Sequence, residues 1–256
     1  MPNVITHNLN VLGSVLTSTF TGWRGCLVVK PVPQPEKPLI LYDMEACPYC
    51  RRVREVLSAL HLDAEIRPCP KGGTRFRPQA EAAGGKQQFP LLVDENTGAT
   101  LYESADIVEY LFNTYAKRPV PRYYQWRFYQ PTLSAVGSGA SGLRGLRATP
   151  ARIPAQPLHL WSFEGSPYSR LVREKLCEME IPYILHNLGK EHWQEIGPAV
   201  QRIKPGPYTP APGGKRDAFF QQHQRVQVPY LEDPNTGEAL FESSRILRYL
   251  NEQYSL

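Results

Sequence analysis

Two cysteines separated by proline and tyrosine stand at 47–50, in the hexapeptide "EACPYC" (45–50). A free thiol has a pKa near ~8.5 and is mostly protonated at neutral pH; in a Cys-X-X-Cys turn at a helix start it falls to about 3.5–7.5. Pro48 suits the first helical position, where its missing N–H costs nothing. Cys47 is therefore expected just before the first turn, facing free N–H groups and the positive end of the helix dipole. Arg51 and Arg52, one turn on, are expected to add positive field. Cys47 reads as a nucleophile, and Cys50, one turn deeper, as the thiol that resolves a mixed disulfide. The same spacing is half of a zinc site, but zinc needs four ligands and the chain has no second CxxC or CxxH.

The elements that must position these residues occur twice. Residues 39–57, "LILYDMEACPYCRRVREVL", align without gaps on 158–176, "LHLWSFEGSPYSRLVREKL", with ten of 19 positions identical. Residues 90–115, starting "PLLVDENTGATLYES", align on 229–254, starting "PYLEDPNTGEALFES", with 13 of 26 identical. Such self-similarity marks a duplication. In the second copy serine replaces both cysteines, at Ser166 and Ser169. Upstream, "SVLTSTFTGWRG" (14–25) resembles "SAVGSGASGLRG" (134–145), so the repeat is expected to begin in a lead-in, a short helix in each copy. The two prolines of "KRPVPRYY" (117–124) mark the joint, and the aromatic run 123–129 is expected to pack there.

Each unit reads as a buried strand (39–42; 158–161), a helix from Pro48 or Pro167, and a second strand (64–67; 183–186). A polar region follows, then a strand at 91–93, an "NTG" turn, a strand at 100–102 and a last helix with Ser104 as N-cap. The order βαβ–α–ββα predicts an α/β fold with a small mixed sheet and helices on both sides. The second unit carries about 20 extra residues before Pro229, including "PGPYTPAPGG" (205–214), an expected exposed loop and candidate lid.

At 256 residues, 41% hydrophobic and 21% charged, the chain fits two folded domains rather than disorder. No apolar run approaches the roughly 20 residues of a membrane span. The formal charge is +5, unevenly spread. No acid occurs in residues 1–35 or between Tyr110 and Phe163, where seven bases stand. Such a stretch could meet nucleic acid, an acidic membrane surface or an acidic partner; the plain reading is a solvated basic face. No nucleic-acid motif accompanies it. Five cysteines in a chain of this size point to a reducing compartment. A cytoplasmic location is expected; the alternative is an organelle, with residues 1–38 as a targeting segment poor in arginine.

Strand, "CPYC", helix, a later "FP" opening a strand, then "NTG" and "ES" before a helix: this order resembles the thioredoxin-fold glutaredoxins and the N-terminal domains of glutathione transferases. The resemblance covers 39–115 and 158–254. It implies two tandem thioredoxin-like domains, at 39–118 and 158–256, with lead-ins at 1–38 and 119–157. The helical C-terminal domain of ordinary glutathione transferases is missing. The resemblance makes Pro90 and Pro229 cis, so that the backbones of Phe89 and Val228 pair with the cysteinyl group of glutathione. It gives Glu103 and Ser104, with Tyr49, to the γ-glutamyl end in the first unit. Ser166, Tyr168, Glu242 and Ser243 form the matching site in the second. Arg75 in "GGTR" and Arg216 in "GGKR" are candidates for the glycyl carboxylate.

The expected function is a glutathione-dependent thiol–disulfide oxidoreductase with Cys47 as nucleophile, Cys50 resolving and glutathione as cosubstrate. One alternative is a glutathione transferase acting on small electrophiles. Another is a non-catalytic module that binds glutathione or a partner. An iron–sulfur cluster held through Cys47 and glutathione, as in some glutaredoxins, is a further reading, less favoured. Cys26, Cys69 and Cys177 are expected to be unreactive, with Cys69 the one to check for glutathionylation. The second site, stripped of sulfur, is read as retired or binding-only. The two units are expected to pack as a pseudo-twofold pair within one chain; a homodimer remains open.

Overall fold

The computed structural model describes residues 4–125, 143–195, 197 and 208–256. A first helix, α1 (Val4–Phe20), precedes both units. The first unit then runs β1 (Leu39–Asp43), α2 (Pro48–Leu60), β2 (Ala64–Pro68), α3 (Arg77–Gly84), β3 (Leu91–Asp94), β4 (Ala99–Leu101) and α4 (Ser104–Leu111). The second repeats the order as β5 (Leu158–Ser162), α5 (Pro167–Glu178), β6 (Tyr183–Asn187), α6 (Lys215–His223), β7 (Tyr230–Asp233), β8 (Glu238–Phe241) and α7 (Ser243–Tyr254). The aligned repeat thus becomes a repeated fold of the thioredoxin type.

Local chemistry sets the boundaries. Pro48 and Pro167 open their helices with Cys47 and Ser166 as N-caps in extended conformation. The left-handed His61 ends α2, its N–H closing back on Ser58. The "NTG" turns are Asx turns: Asp94 Oδ1 accepts from the Asn96 N–H at 2.9 Å, and Asp233 Oδ1 from Asn235 at 2.8 Å. Ser104 departs from expectation. It is the first helical residue, while Glu103, at φ 61°, holds the cap position and makes no capping bond.

The eight strands form one sheet, in the order β4-β3-β1-β2-β6-β5-β7-β8. In each half the first two strands are parallel and the β3 or β7 hairpin is antiparallel. The halves join where β2 pairs β6 antiparallel, Ala64 facing Leu185, Glu65 facing Ile184 and Ile66 facing Tyr183. Glu65 and Ile184 are counterparts in the repeat, so the register is symmetric about that pair, and a pseudo-twofold axis passes through the seam. One apolar core runs through both halves, with Leu39, Leu57 and Leu60 on one side and Leu158, Val172 and Leu176 on the other.

The lead-ins cross over. Leu27 bridges to Lys190 of the second unit, and Arg147 bridges to Lys71 of the first. Gly25, at φ 72°, lies against Glu164, where an added Cβ would stand 2.7 Å from the Glu164 Cβ; Gly145, at φ 75°, lies the same way against Glu45 at 2.9 Å. Both positions need glycine for the left-handed backbone and the close approach. Of the two lead-in helices expected, the first is α1; most of its counterpart, and the aromatic run beyond Gln125, lie outside the described residues.

Candidate functional site

Register brings the site together. Tyr42 faces Leu91 across β1 and β3, and Leu92 faces Leu101 across β3 and β4. The turn after β1 that carries Cys47, the start of β3 at Pro90, and the Glu103–Ser104 turn after β4 therefore share one end of the sheet. The Phe89–Pro90 and Val228–Pro229 bonds are both cis. Tyr49 is exposed, Phe89 half-buried and Ser104 buried.

Cys47 is 9% exposed and Cys50 fully buried beneath it. The Cys47 thiol is held down at about 7, chiefly because the Cys50 thiol donates to its sulfur; burial opposes this, and the backbone N–H groups of Cys50 and Tyr49 assist. Burial, with the bond to the Cys47 sulfur, pushes Cys50 well up. Below them lies Asp43, buried and pushed up by desolvation against the pull of Arg54, and hydrogen-bonded to Cys50. Burial also raises the other thiols, Cys26 to about 12, and Cys69 and Cys177 likewise upward. Cys69 has no exposed surface to offer an oxidant.

Several expected roles move. Arg51 and Arg52 do not supply the field at Cys47. Arg51 Nε lies 3.4 Å from Glu164 of the second unit, and Arg52 Nη2 donates to the Tyr124 carbonyl at 3.0 Å. Both belong to the seam between halves. Arg75 likewise turns from the site: Nη1 donates to the carbonyls of Met179 and Glu180 at 3.1 and 3.0 Å, and Nη2 reaches the Ala151 carbonyl. Arg216 is buried among Glu195, Tyr208 and the Leu188 carbonyl. The loop 205–214 is described only from Tyr208, whose hydroxyl is held by Glu195 and Arg216.

The structure adds residues not singled out in the sequence. Gln88 Nε2 donates to Glu103 Oε1 at 2.5 Å, and Gln227 holds Glu242 in the same way. A glutamine two places before each cis-proline, in "QFP" and "QVP", is the repeated signal that could have found them. Arg77 stacks on the Phe89 ring, 5.0 Å from its centroid.

The family model described as glutathione S-transferase, N-terminal domain matches residues 41–119 and again 160–256. The chain belongs to that family. No curated protein and no solved structure matches it.

The second family domain keeps the frame without the sulfur. Ser166 Oγ accepts from the Ser169 hydroxyl at 2.9 Å and from its N–H at 3.3 Å, a helix cap turned on itself. Across this turn lies α1. Ser14 Oγ donates to the Pro167 carbonyl at 2.8 Å and Ser18 Oγ to the Gly165 carbonyl at 3.1 Å, while Arg170 Nη1 donates back to the Ser14 carbonyl at 2.9 Å. His7 Nε2 comes within 3.4 Å of Ser243 Oγ. The lead-in of the first repeat thus covers the site of the second, and Ser166 is buried.

Proposed function

We propose that this protein is a glutathione-dependent thiol–disulfide oxidoreductase working through Cys47 of its first domain. The observation that carries the reading is the stacked pair: Cys47 with a thiol near 7, and Cys50 held protonated beneath it, donating to its sulfur.

The Cys47 thiolate attacks the glutathionyl sulfur of a mixed disulfide. The S–S bond breaks, Cys47–S–S–glutathione forms, and the substrate thiolate leaves and takes a proton from water. Two routes restore the enzyme. A second glutathione thiolate can attack the glutathionyl sulfur, releasing glutathione disulfide and the Cys47 thiolate. Alternatively Cys50 gives its proton to Asp43 and attacks the Cys47 sulfur. Glutathione thiolate then leaves, and a Cys47–Cys50 disulfide remains for two further glutathione molecules to reduce. The backbone beside cis-Pro90 would pair with the cysteinyl group, and Ser104 and Glu103, steadied by Gln88, would take the γ-glutamyl end. Arg75 is engaged elsewhere, and Arg77, on the Phe89 ring, already donates to the carbonyls of Pro70 and Cys69, so neither arginine is assigned to the glycyl carboxylate. The second site is read as retired, because α1 hydrogen-bonds over its turn.

The test is reduction of a glutathionylated peptide by the full chain. Turnover should vanish in Cys47→Ser and persist in Cys50→Ser through the direct glutathione route. Turnover that survives Cys47→Ser sinks the proposal. Conjugation of an aryl halide that dies with Ser166→Ala would instead make the second site a working transferase centre.

A further inference from the structure

Helix α1 is amphipathic in an inverted sense. Its inward face is polar: Ser14, Thr17 and Ser18 are fully buried, and Ser14 and Ser18 are spent on carbonyls of the α5 turn. Its outward face is apolar: Leu9 is 62% exposed, Leu12 55%, Leu16 44% and Phe20 44%, with Ile5 also exposed. These residues recur at helical spacing along one stripe. Trp23, Leu27 and Val29, beyond the helix end, are exposed as well. A soluble helix ordinarily turns such a stripe to the core. Here the core-facing side is satisfied by hydrogen bonds, and large apolar side chains are left in water. A contiguous patch of this kind marks an interaction surface.

The charges around it select the partner. No acid stands in residues 1–35 or 110–163, and the two segments touch at α1 and just beyond it. Arg144 Nη1 donates to Asn10 of α1 at 2.9 Å while its Nε pairs with the buried Glu174 at 2.7 Å, Arg24 lies 5.9 Å from the Tyr123 ring centroid, and Lys30 Nζ donates to the Ala116 carbonyl at 2.8 Å. Lys30, Lys117, Arg118 and Arg147 are exposed. Exposed Leu143 is the counterpart of Trp23 in the other lead-in. An uncharged apolar stripe with a basic surround fits a surface that is apolar inside and anionic at its rim.

We infer that α1 and the basic lead-ins form a docking face for an anionic lipid bilayer, with the Leu9–Leu12–Leu16–Phe20 stripe lying in the interface plane and the bases on the headgroups. Among the described residues no helix is long and apolar enough to cross a membrane, so the contact is peripheral. A second copy of the chain fits less well. A 17-residue helix is about 25 Å long, a short element on which to rest the roughly 1,000 Å² of a stable interface. It would also press the basic lead-ins of two copies together. A bilayer meets the stripe with no such limit and opposite charge.

The test is co-sedimentation of the full chain with phosphatidylcholine vesicles, with and without added phosphatidylglycerol. We expect binding to the anionic vesicles, at least about tenfold weaker on phosphatidylcholine alone or in high salt. Leu9→Ser/Leu12→Ser/Leu16→Ser should lose at least about tenfold in binding with an unchanged melting temperature, since those side chains face solvent. Leu12→Ser alone serves if the triple variant folds poorly. Lys30→Glu/Arg147→Glu should weaken binding to anionic vesicles only. No sedimentation with either vesicle at low ionic strength would overturn the inference. So would apolar variants that bind as well as the parent, or a vesicle-free dimer that Leu12→Ser abolishes, which would assign the face to a second copy. None of these outcomes bears on Cys47 turnover.

Discussion

At the residue scale the proposed chemistry rests on three groups in a column: Cys47, Cys50 and Asp43. With the Cys47 thiol held at about 7, the thiolate fraction rises through pH 7, and iodoacetamide labelling of Cys47 should have its half-point there. Cys50→Ala removes the first cause of the depression, so the half-point should move up toward the ordinary thiol range; no movement would show that Cys50 is not the cause. Asp43 is the more telling residue. Its counterpart in the second domain is Ser162, which takes a hydrogen bond from Arg173 at 2.9 Å and has no carboxylate. The buried acid is thus present in the copy that keeps its thiols and absent from the copy that lost them. Asp43→Asn should slow formation of the Cys47–Cys50 disulfide by about 10²-fold, the scale of a lost proton acceptor. It should leave the Cys47 half-point at or below 7, because Asp43 itself raises that value. Stopped-flow release of glutathione from the mixed disulfide separates the two effects. Equal slowing of Cys47 attack would mean that Asp43 acts only through packing.

At the scale of elements, α2 and α5 are the parts most legible in the sequence and the most incompletely understood from it. Their starts follow from local signals, a proline at the first helical position behind Cys47 or Ser166. Their surroundings do not. Every residue of α2 from Cys50 to Leu60 is buried, although the segment contains three arginines and a glutamate and reads as one inner and one solvated face. Their place one turn on from Cys47 gives Arg51 and Arg52 to the thiol in the sequence. The helix lies instead between two domains, and sequence periodicity reports one core at a time. Arg75 failed for the same reason, its acceptors standing more than 75 residues away. By contrast Pro90, Glu103 and Ser104 came from motifs that depend on nearby strands, and they meet at one sheet end, while Pro229 takes the matching place in the second domain. The burial has a measurable consequence. Glu55 on α2 and its counterpart Glu174 on α5 are each pushed up by desolvation to about 7. A carboxyl raised above its unfolded value binds its proton in the folded state. The stability it contributes is complete below about pH 4.5 and lost as pH rises through 7. Urea midpoints should therefore fall between pH 5 and pH 8. Glu55→Gln should flatten that fall and be the more stable protein at pH 8, by on the order of 2 kcal/mol. A midpoint that rises with pH in the parent chain would contradict this.

On the scale of the whole molecule, the first residue of each hexapeptide explains why the sulfur-free copy persists. Glu45 opens "EACPYC" and Glu164 opens "EGSPYS". Arg173, on the second domain's helix, holds Glu45 at 3.1 Å, and Arg54, on the first domain's helix, holds Glu164 at 2.9 Å. Each site turn is thus held by an arginine of the other domain together with one of its own, since Arg54 also reaches Glu45 at 3.3 Å and Arg173 also reaches Glu164 at 3.0 Å. All four side chains are buried, so a partner cannot be removed without leaving a charge in the interior. The second domain therefore supports the thiol site of the first whether or not it binds anything itself. Arg173→Ala should cost about 3–5 kcal/mol and speed amide exchange at residues 44–47, which lie in the other repeat. It should also slow Cys47 labelling at pH 7, because the loop that presents the thiol keeps Arg54 but loses the other of its two arginine anchors. Ser166→Ala should cost only about 1 kcal/mol, the worth of a helix cap, and leave Cys47 labelling unchanged. The two variants together weigh support against catalysis in the second domain. If Ser166→Ala impaired turnover of the glutathionylated peptide while Arg173→Ala left Cys47 labelling and exchange at 44–47 as they were, the sulfur-free site would be a working one, and its frame would not have been kept for the sake of the seam.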